Sequence, residues 1–484
     1  MTLLLPVGVP VLGALVHLAF GWRRATTWVS AASAGFVLAT AIVLAVEVSR
    51  SGPVTAMAGL LRVDALSAFM VLVIGAVGLV ATAATPAYFR AEIDDGRATA
   101  RTAARHSLLV QLFLATMALA VLAANLGVVW VAVEATTIVT AFLVGQRRTR
   151  ASVEAAWKYV VICSAGIALA LLGTIVLNFA AAHAPGTAGL DLATLSAHAS
   201  GLNPGVTRIA IALLVLGFGT KAGLAPLHAW LPDAHSQAPA PVSALMSGVL
   251  LSVAFYAILR VKVISDAALG AGFARTLLTV MALASLALAA SLLIGQRDYK
   301  RMLAYSSIEH LGLVAFGAAI GSPLALTAAL LHVFGHGLAK AVLFLGAGRV
   351  LQFTGTSQID GVRGLIARHP ALATTFGFGV LALAGLPPFS LFASELGIVR
   401  AGFTAGLGWQ TTAALALVLV IAAALITNTS RMLLGAPSTS DTPAATPIPI
   451  ALAGGLLACA VLGIVAGPLP ALLDLATQPL AVTR

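Results

Sequence analysis

This sequence has very little charge. Only 9% of its 484 residues are Asp, Glu, Lys or Arg, whereas 60% are hydrophobic, and the mean hydropathy is +1.03. This balance excludes a soluble globular domain. The apolar residues form runs of about 20 residues, each long enough to cross roughly 30 Å of hydrocarbon as a helix. We therefore predict an all-α polytopic membrane protein.

Cysteine is almost absent. Cys163 and Cys459 are the only two, and both lie inside apolar runs, so we predict buried small side chains rather than a disulfide or a metal-binding pair. The sequence also lacks a CxxC pair, a phosphate-binding P-loop, a dinucleotide-binding GxGxxG unit and a histidine arrangement typical of haem. We expect no cofactor and no metal, and the chain alone has no visible source of energy.

The apolar runs predict 14 transmembrane spans, two of them broken by glycine and proline. They lie near residues 3–20, 27–47, 65–88, 106–124, 126–145, 155–181, 206–234 (broken), 239–261, 271–294, 303–320, 322–350, 371–399 (broken), 410–434 and 447–468. The first run is interpreted as a span and not as a signal peptide. The predicted units are three N-terminal spans in 1–105, inverted five-helix repeats in 106–265 and 266–435, and a C-terminal helix in 436–484.

The basic residues indicate how the chain is oriented. Arginine supplies 22 of the 27 basic residues; sixteen basic residues fall in odd-numbered connections between spans and seven fall in even-numbered ones. Positive charge is enriched on the cytoplasmic side of membrane proteins. The odd connections are therefore predicted to be cytoplasmic and both termini to lie outside. Membrane orientation explains the net charge of +11 better than a nucleic-acid partner does.

One stretch, GFGTKAGLAPLHAWLPDAH at Gly217–His235, places a lysine at membrane depth just before a broken turn. Because Pro226 cannot donate a hydrogen bond to the carbonyl of Ala222, the break leaves backbone groups that lipid cannot satisfy. Such a break is stable only inside protein or beside a wet cavity. Lys221 at the bilayer centre costs roughly 2.5 to 3.5 kcal/mol, which favours a functional role over a lysine that extends from a helix end to the interface.

A second break follows the same pattern. In LALAGLPPFSLFASELGIV at Leu381–Val399, Gly385 precedes two prolines and Glu395 lies beyond them. Interrupted apolar segments in corresponding positions of two halves indicate an inverted-repeat transporter. Lys221 then ends one half-helix, where the helix dipole favours a cation, and Glu395 follows the start of another, where the dipole favours an anion. Two ordinary proline kinks are the alternative interpretation.

Two further charged residues lie inside predicted spans. Glu134 is alone in the middle of the fifth span, and nothing near it in sequence neutralises it, so a functional role is favoured. Lys158 lies near the start of the sixth span between Trp157 and Tyr159, and it is either functional or part of an interfacial aromatic belt. Lysine, unlike arginine, can lose its proton when it is desolvated or when a carboxylate partner withdraws.

Three titratable residues recur every four positions in the eleventh span: His332, His336 and Lys340. Each step of four turns about 400°, so the three share one helix face with neighbours roughly 6 Å apart along the axis. This spacing is too long for direct hydrogen bonds and suits a water-bridged proton relay. Zinc is the weaker interpretation, because no carboxylate or cysteine lies on this face.

The remaining candidates are open to two interpretations. His228, Asp233 and His235 follow the first break, where they form a vestibule or cap a helix. Glu309 and His310 open the tenth span, where they continue the path or face its cytoplasmic mouth. A row of lysines, histidines and carboxylates joined by water forms a proton path across the membrane midplane.

Several segments together resemble one membrane-protein family. They are GFGTKAGLAPLHAWLPDAH, APAPVSALMSGVLLSVAFYAILR, DYKRMLAYSSIEHLG and LHVFGHGLAKAVLFLGAG, with the glutamate-bearing fifth span. Over about spans 4 to 13 the chain is similar to the antiporter-like subunits shared by respiratory complex I, Mrp-type sodium/proton antiporters and membrane-bound hydrogenases. Within that family it most resembles the component F group of hydrogenase-4 and formate hydrogenlyase-type complexes.

The resemblance implies roles for the candidate residues. Glu134 and Lys221 are implied to form the charge pair of a first half-channel, with Lys158 close by. The central axis and the end of the second half-channel are implied to consist of His332, His336, Lys340 and Glu395. A lysine in place of Glu395 and a long lateral C-terminal helix mark the most distal complex I subunit, so that assignment is disfavoured.

The resemblance further implies a proton-translocating subunit of the bacterial plasma (inner) membrane, without a redox centre of its own. Its implied partners are other membrane subunits of a hydrogenase- or complex I-like assembly and a soluble redox module. The alternative is a subunit of a multisubunit Na⁺/H⁺ antiporter, in which sodium moves as well. A membrane anchor whose charges no longer conduct is a third possibility.

Overall fold

Helices make up nearly all of the structure, a computed structural model that describes residues 2–185, 189–434, 450–464 and 469–481. The N-terminal region contains α1 (Leu5–Phe20), α2 (Val29–Ser51) and α3 (Ala65–Asp94). Between α2 and α3 lies a small antiparallel hairpin that the sequence analysis did not predict, formed by β1 (Val54–Ala56) and β2 (Leu61–Val63).

The next region holds eight helices, several of which begin at a side-chain cap. They are α4 (Ala100–Leu122), α5 (Leu126–Val144), α6 (Arg150–Ala182), α7 (Leu192–Ala197), α8 (Pro204–Lys221), α9 (Trp230–Gln237), α10 (Ala240–Leu245) and α11 (Leu251–Leu269). Thr99, Asn125 and Thr149 each accept a hydrogen bond from a backbone N–H of the first turn, which satisfies a donor that the helix itself leaves free. A π-turn at Met246–Leu250 joins α10 to α11.

The last region holds nine described helices. They are α12 (Ala271–Ile294), α13 (Tyr299–Ile320), α14 (Pro323–Thr354), α15 (Leu365–Arg368), α16 (Pro370–Leu383), α17 (Ser390–Thr404), α18 (Gly408–Leu434), α19 (Ile450–Ile464) and α20 (Leu469–Thr477). The predicted boundary at residue 436 and the extreme C-terminal residues lie outside the described part of the chain.

Twelve helices among the described residues are long and apolar enough to cross a membrane. The predicted all-α, multi-pass fold is confirmed. Two predicted spans have no single long helix: the span near 371–399 is divided into α16 and α17, of 14 and 15 residues, and the span near 447–468 extends past α19 into residues that are not described. The total of 14 spans stays a prediction.

The central helices are enclosed by protein. The joined α10 and α11, together with α13 and α14, are almost wholly buried, and α14 packs against α3, α16, α17 and α19. Gly337 of α14 lies so close to the π-turn that a Cβ there would be 2.7 Å from the carbonyl oxygen of Gly248, a distance that only glycine permits. Cys163 and Cys459 are buried and unpaired, as predicted.

The two helix breaks have the same backbone. The φ angle of Gly223 is 78° and that of Gly385 is 63°, a left-handed conformation that favours glycine. In both breaks the N–H of the next leucine donates to the carbonyl oxygen five residues earlier, at 2.9 and 3.2 Å. Both also contain a cis peptide bond before proline. Each break therefore ends its first half-helix in a Schellman motif.

Candidate functional site

Lys221 is the last residue of α8, and its side chain is fully buried. Its Nζ donates to Thr137 Oγ1 at 2.8 Å and to Tyr159 Oη at 2.5 Å. The same ammonium lies 4.7 Å from the centre of the Tyr159 ring. Two hydroxyl groups, an aromatic face and the C-terminal end of a half-helix thus stabilise a charge that lipid cannot solvate.

Glu134 lies on α5, about one turn before Thr137. Its Oε2 is buried and has no hydrogen-bond partner. In the part of the chain that the structure describes, no ion pair joins Glu134 to Lys221, whose Nζ is bonded to the two hydroxyls instead. The charge pair implied by the family resemblance is therefore not a direct contact here, and it stays a prediction.

Lys158 has a different environment from Lys221. Its side chain is 47% exposed, and its Nζ lies 2.8 Å from Glu154 and 3.0 Å from Asp233. Arg301, at the start of α13, bonds the other oxygen of Asp233. These side chains line an open cavity of about 200 Å³. The structure places Lys158 in an ion-pair cluster at the mouth of this cavity and not in the buried centre.

The two breaks carry matching carboxylates. Asp233 and Glu395 each lie seven residues after the last proline of their break, so they occupy the same position when Pro226 is aligned with Pro388. In that alignment Lys221 matches an apolar residue. The first half therefore adds a lysine to a pattern in which the acidic residue is the shared element.

Lys340 lies deep in the centre, fully buried on α14. Its Nζ donates to the carbonyl oxygen of Leu303 at 2.7 Å and to the hydroxyl of Ser306. Both acceptors belong to α13. The buried ammonium is thus satisfied by neutral oxygens of the neighbouring helix, as the Lys221 ammonium is.

Lys300 is a buried lysine and one of the sixteen basic residues that the sequence analysis counts in the odd-numbered connections. It is the second residue of α13, and only 1% of it is exposed. Its Nζ donates to the carbonyl oxygens of Ser236 and Ala238, at 2.7 and 3.0 Å. These carbonyls lie at the C-terminal end of α9, where a helix leaves its acceptors free. Lys300 therefore caps α9 from another helix.

His235 is a buried histidine near the end of α9. Its ring is fully buried and stacks on Phe344 with the ring centres 4.9 Å apart. Neither ring nitrogen has a hydrogen-bond partner among the described residues. Two free nitrogens on a buried ring are a suitable point for proton transfer through an inserted water.

Three histidines meet between α13, α14 and α17. His310 Nδ1 and His332 Nε2 are 2.9 Å apart, and His332 Nδ1 is 2.9 Å from the hydroxyl of Ser394. The ring centre of His310 is also 5.0 Å from that of His336. His310 of α13 thus lies beside both His332 and His336 of α14. The spacing of residues along α14 alone does not reveal this neighbour.

Glu395 brings a carboxylate to this cluster as the sixth residue of α17. One donor atom each from His310, His332 and Glu395 lies within 4.8 Å of the others. The argument that no carboxylate joins this face is wrong, because α17 supplies one. Two histidines and a carboxylate can share a proton or hold a divalent metal ion.

The candidates at the start of the tenth span lie in a different place from His228, which follows the first break. Glu309 is buried, and its Oε2 lies 3.7 Å from His310 Nε2, so both residues of the tenth span join the central cluster. His228 remains in the loop of the first break, half-buried, with an unpartnered Nδ1. Among the described residues it forms no hydrogen bond with another candidate side chain.

Four residues with hydroxyl side chains contact the candidate residues and were not predicted from the sequence. Thr137, Tyr159, Ser306 and Ser394 each contact a candidate lysine or histidine. Each lies in an apolar run, where a hydroxyl bonded to its own helix is unremarkable. The only available signal was their position on helices that already carry a charged residue.

Residues 123–423 match the family model described as "NADH:quinone oxidoreductase/Mrp antiporter, TM". The match covers more than half of the 484 residues. The chain belongs to this family. It is 40% identical over 343 residues to the "Hydrogenase-4 component F homolog" of Methylacidiphilum infernorum (isolate V4), which covers 70% of this chain and 72% of the relative.

Two solved structures have the same fold as this member of the NADH:quinone oxidoreductase/Mrp antiporter family. A chain of the archaeal membrane-bound sulfane sulfur reductase has a TM-score of 0.88 at 24% identity, covering 99% of this chain and 97% of that one. A chain of the Mrp complex from Dietzia sp. DQ12-45-1b has a TM-score of 0.85 at 23% identity, with the same coverage. Every candidate site residue, from Glu134 to Glu395, lies inside the family match.

Proposed function

We propose that this chain is the proton-translocating, antiporter-like subunit of a redox-driven membrane complex of the hydrogenase-4 or complex I type. The observation that carries the proposal is a set of titratable side chains in the interior of a family member, which includes Lys221, His235, Lys340 and the histidine cluster beside Glu395. Ionisable residues inside a membrane bundle are costly, and they usually mark an ion path.

The first step of the proposed path is at Lys221. Glu134 lies one turn from Thr137, so a small movement of α5 brings its free carboxylate oxygen towards the ammonium. At 4 Å and an effective dielectric of about 20 the pair is worth roughly 4 kcal/mol. Approach of Glu134 holds the proton on Lys221, and withdrawal releases it.

The second step crosses the centre. His235 is the proposed step before Lys340, and His336 and His310 continue the proposed path towards His332. A neutral imidazole has one donor and one acceptor nitrogen, so it can pass a proton by taking one and giving the other. Glu395 is the proposed end of the path. The halves at 106–265 and 266–435 serve as the two proposed half-channels, and the identical backbone of their breaks supports this division.

The partners and the orientation are part of the same proposal. The relative from Methylacidiphilum infernorum is named as a hydrogenase-4 component, and the chain has no redox motif of its own. We therefore place it beside other membrane subunits and a soluble redox module, in a bacterial inner membrane. The excess of arginine in the odd connections supports both termini on the outer side.

The test is made in the assembled complex. Lys221→Met and Glu134→Gln should abolish proton translocation at unchanged rates of electron transfer, measured as acidification driven by the redox donor in sealed vesicles. Lys262→Met is the matched control, because it removes a buried lysine that is paired with Asp266 of its own helix and is not part of the proposed path. Normal pumping by Lys221→Met would contradict the proposed path.

A second candidate is a subunit of a multisubunit Na⁺/H⁺ antiporter, favoured by the fold shared with the Mrp chain. The test is ²²Na⁺ uptake into vesicles that hold the native complex, with an imposed proton gradient and no redox donor. Uptake that is lost in Lys221→Met would favour the exchanger. Proton movement that depends on the redox donor and is indifferent to sodium favours the redox-driven complex.

A further inference from the structure

A basic cavity lies away from the proton path, where several spans end. It has a volume of about 580 Å³ and is enclosed by the end of α3, the start of α4 and the residues after α5. Five arginines line it, and Glu92 is its single acidic lining residue. The arginines are Arg97, Arg101, Arg105, Arg147 and Arg148.

Most of this positive charge has no counter-charge in the described residues. Arg97 is paired with Asp95 and Glu92. Arg147 donates to the neutral hydroxyl of Tyr88 at 3.1 Å. The other three arginines take part in no ion pair among the residues that the structure describes. Like charges that line one cavity repel each other unless an anion lies between them.

The first turn of α4 faces the same cavity. Thr99, Arg101, Thr102 and Arg105 all line it, and Thr99 caps the helix by accepting a hydrogen bond from the N–H of Thr102. The positive end of the α4 dipole therefore adds to the field of the arginines. Arginine presents several donors in a planar fork, which suits the oxygens of a phosphate group.

One side of the cavity continues into an exposed apolar surface. Arg105 lies 5.7 Å above the ring of Phe142, which is 53% exposed. Ile138 and Val131, on the same stripe of α5, are 57% and 55% exposed. On another side, Trp22 contacts Phe89 of the lining with the ring centres 5.9 Å apart. Basic residues beside an aromatic belt and an apolar stripe mark the headgroup level of a bilayer.

We propose that this cavity binds the phosphate group of an anionic phospholipid, with an acyl chain on the α5 stripe at Phe142, Ile138 and Val131. A soluble phosphate shares the charge that the arginines and the α4 terminus recognise. Only a lipid also uses the apolar stripe, which is why the lipid is the assigned source. The site is separate from the residues of the proposed proton path.

The experiment uses the full chain in nanodiscs of phosphatidylcholine with 20% phosphatidylglycerol, extracted into mild detergent and analysed by native mass spectrometry. Arg101→Gln/Arg105→Gln should weaken retention of phosphatidylglycerol about 30-fold, since each arginine near a lipid surface contributes a factor of roughly five to six. Arg23→Gln/Arg24→Gln is the matched control. It removes two exposed arginines from the α1–α2 connection without touching the cavity, and retention should stay within about twofold.

Three outcomes are decisive. The lipid is supported if bound phosphatidylglycerol is lost only in the cavity variant. In the unsubstituted protein this binding should persist in 10 mM inorganic phosphate, and phosphatidylcholine should not replace phosphatidylglycerol. Displacement by inorganic phosphate at that concentration overturns the lipid as the source. Equal lipid retention by both double variants, with a neighbouring subunit lost from the native complex of the cavity variant, overturns the proposal in favour of a protein contact. A circular dichroism spectrum of each variant establishes that it is folded.

Discussion

Two buried lysines, Lys221 and Lys340, are stabilised by different chemistry from the exposed Lys158. Lys221 and Lys340 donate to neutral hydroxyl and carbonyl oxygens, whereas Lys158 is paired with carboxylates. A neutral acceptor stabilises an ammonium without fixing it in the charged form as firmly as an adjacent carboxylate does. The buried sites are therefore suited to repeated loss and gain of a proton, and the exposed site is suited to binding.

Thr137→Val should slow redox-driven proton translocation by about 10-fold or more. It removes one of the two hydroxyl acceptors of the Lys221 ammonium, and a hydrogen bond to a charged group contributes roughly 1.5 to 3 kcal/mol. Thr136→Val is the control. Its hydroxyl is equally buried but donates only to the carbonyl of Val133, so the rate should change less than threefold. Equal rates for the two variants would show that the hydroxyl of Thr137 has no part in the transfer.

Asp64 provides a test of stability against pH. It caps α3, and Arg260 binds both of its carboxylate oxygens, at 2.6 and 2.7 Å. Burial acts to raise the pKa of Asp64, but the charge and hydrogen bonds of Arg260, with those of Ser67, lower it from 3.8 to about 2. The stability that this carboxylate contributes is present above its unfolded pKa and is lost as the pH falls through about 2.

Asp64→Asn should therefore lower the free energy of unfolding at pH 7 by about 2 kcal/mol or more, because Arg260 loses its counter-charge. The difference from the unsubstituted protein should narrow as the pH falls from 5 towards 2. Thermal unfolding in detergent across that range measures it. Asp360→Asn breaks an exposed pair with Arg363 and should cost less than 1 kcal/mol at any pH. A pH-independent difference for Asp64→Asn would exclude the titration as its origin.

At the scale of helices, the second break positions the acid that follows it. Gly385 is left-handed, and a Cβ at this residue would overlap the carboxylate of Glu395. The bend and the position of the Glu395 carboxylate thus both require that residue 385 has no Cβ. The first break has the same backbone, but there a Cβ on Gly223 would meet the side chain of Leu231.

Gly385→Ala should abolish translocation and destabilise the protein, because it combines backbone strain with a displaced carboxylate. Gly406→Ala separates the two effects. Gly406 also has a positive φ, of 77°, but nothing lies within 4 Å of where its Cβ would be. Gly406→Ala should lower the free energy of unfolding by only about 1 kcal/mol and leave translocation unchanged. Equal losses of translocation would show that strain, rather than contact with Glu395, is responsible.

The helices were largely predictable from the sequence, and the reason is physical. A span must be about 20 residues long and apolar, so α12 at Ala271–Ile294 was predicted to the residue. The breaks at Gly223 and Gly385 were predictable because proline and glycine have fixed effects on the backbone. The β-hairpin before α3 was not, since its strands have only three residues each.

The site was predicted less completely, because it depends on contacts between helices. The spacing of His332, His336 and Lys340 defines one face of α14. It says nothing of His310 inserted from α13, or of Glu395 brought in by α17. Lys300 was misassigned to a connection because it lies beside two arginines at a helix start. Only packing shows that its side chain turns inward.

For the whole molecule, the orientation can be tested with cysteine labelling. Both native cysteines are buried, so the unsubstituted protein should react poorly with a membrane-impermeant maleimide. Asp95→Cys, in the α3–α4 connection, should be labelled only from the cytoplasmic side. Thr55→Cys, in the exposed hairpin between α2 and α3, should be labelled only from outside. The reverse pattern would invert the proposed orientation, and labelling of both from one side would contradict a span at α3.

The hydrogen bonds between α13 and α9 couple the movements of these two helices. Two consecutive residues at the start of α13 hold α9: Lys300 binds the carbonyls of Ser236 and Ala238, and Arg301 binds Asp233. The short helix α9 is thus bound by α13 both in its first turn and at its C-terminal end. We therefore expect a shift of α13 to move α9 with it, which couples the helix after the first break to the helix that carries Glu309 and His310.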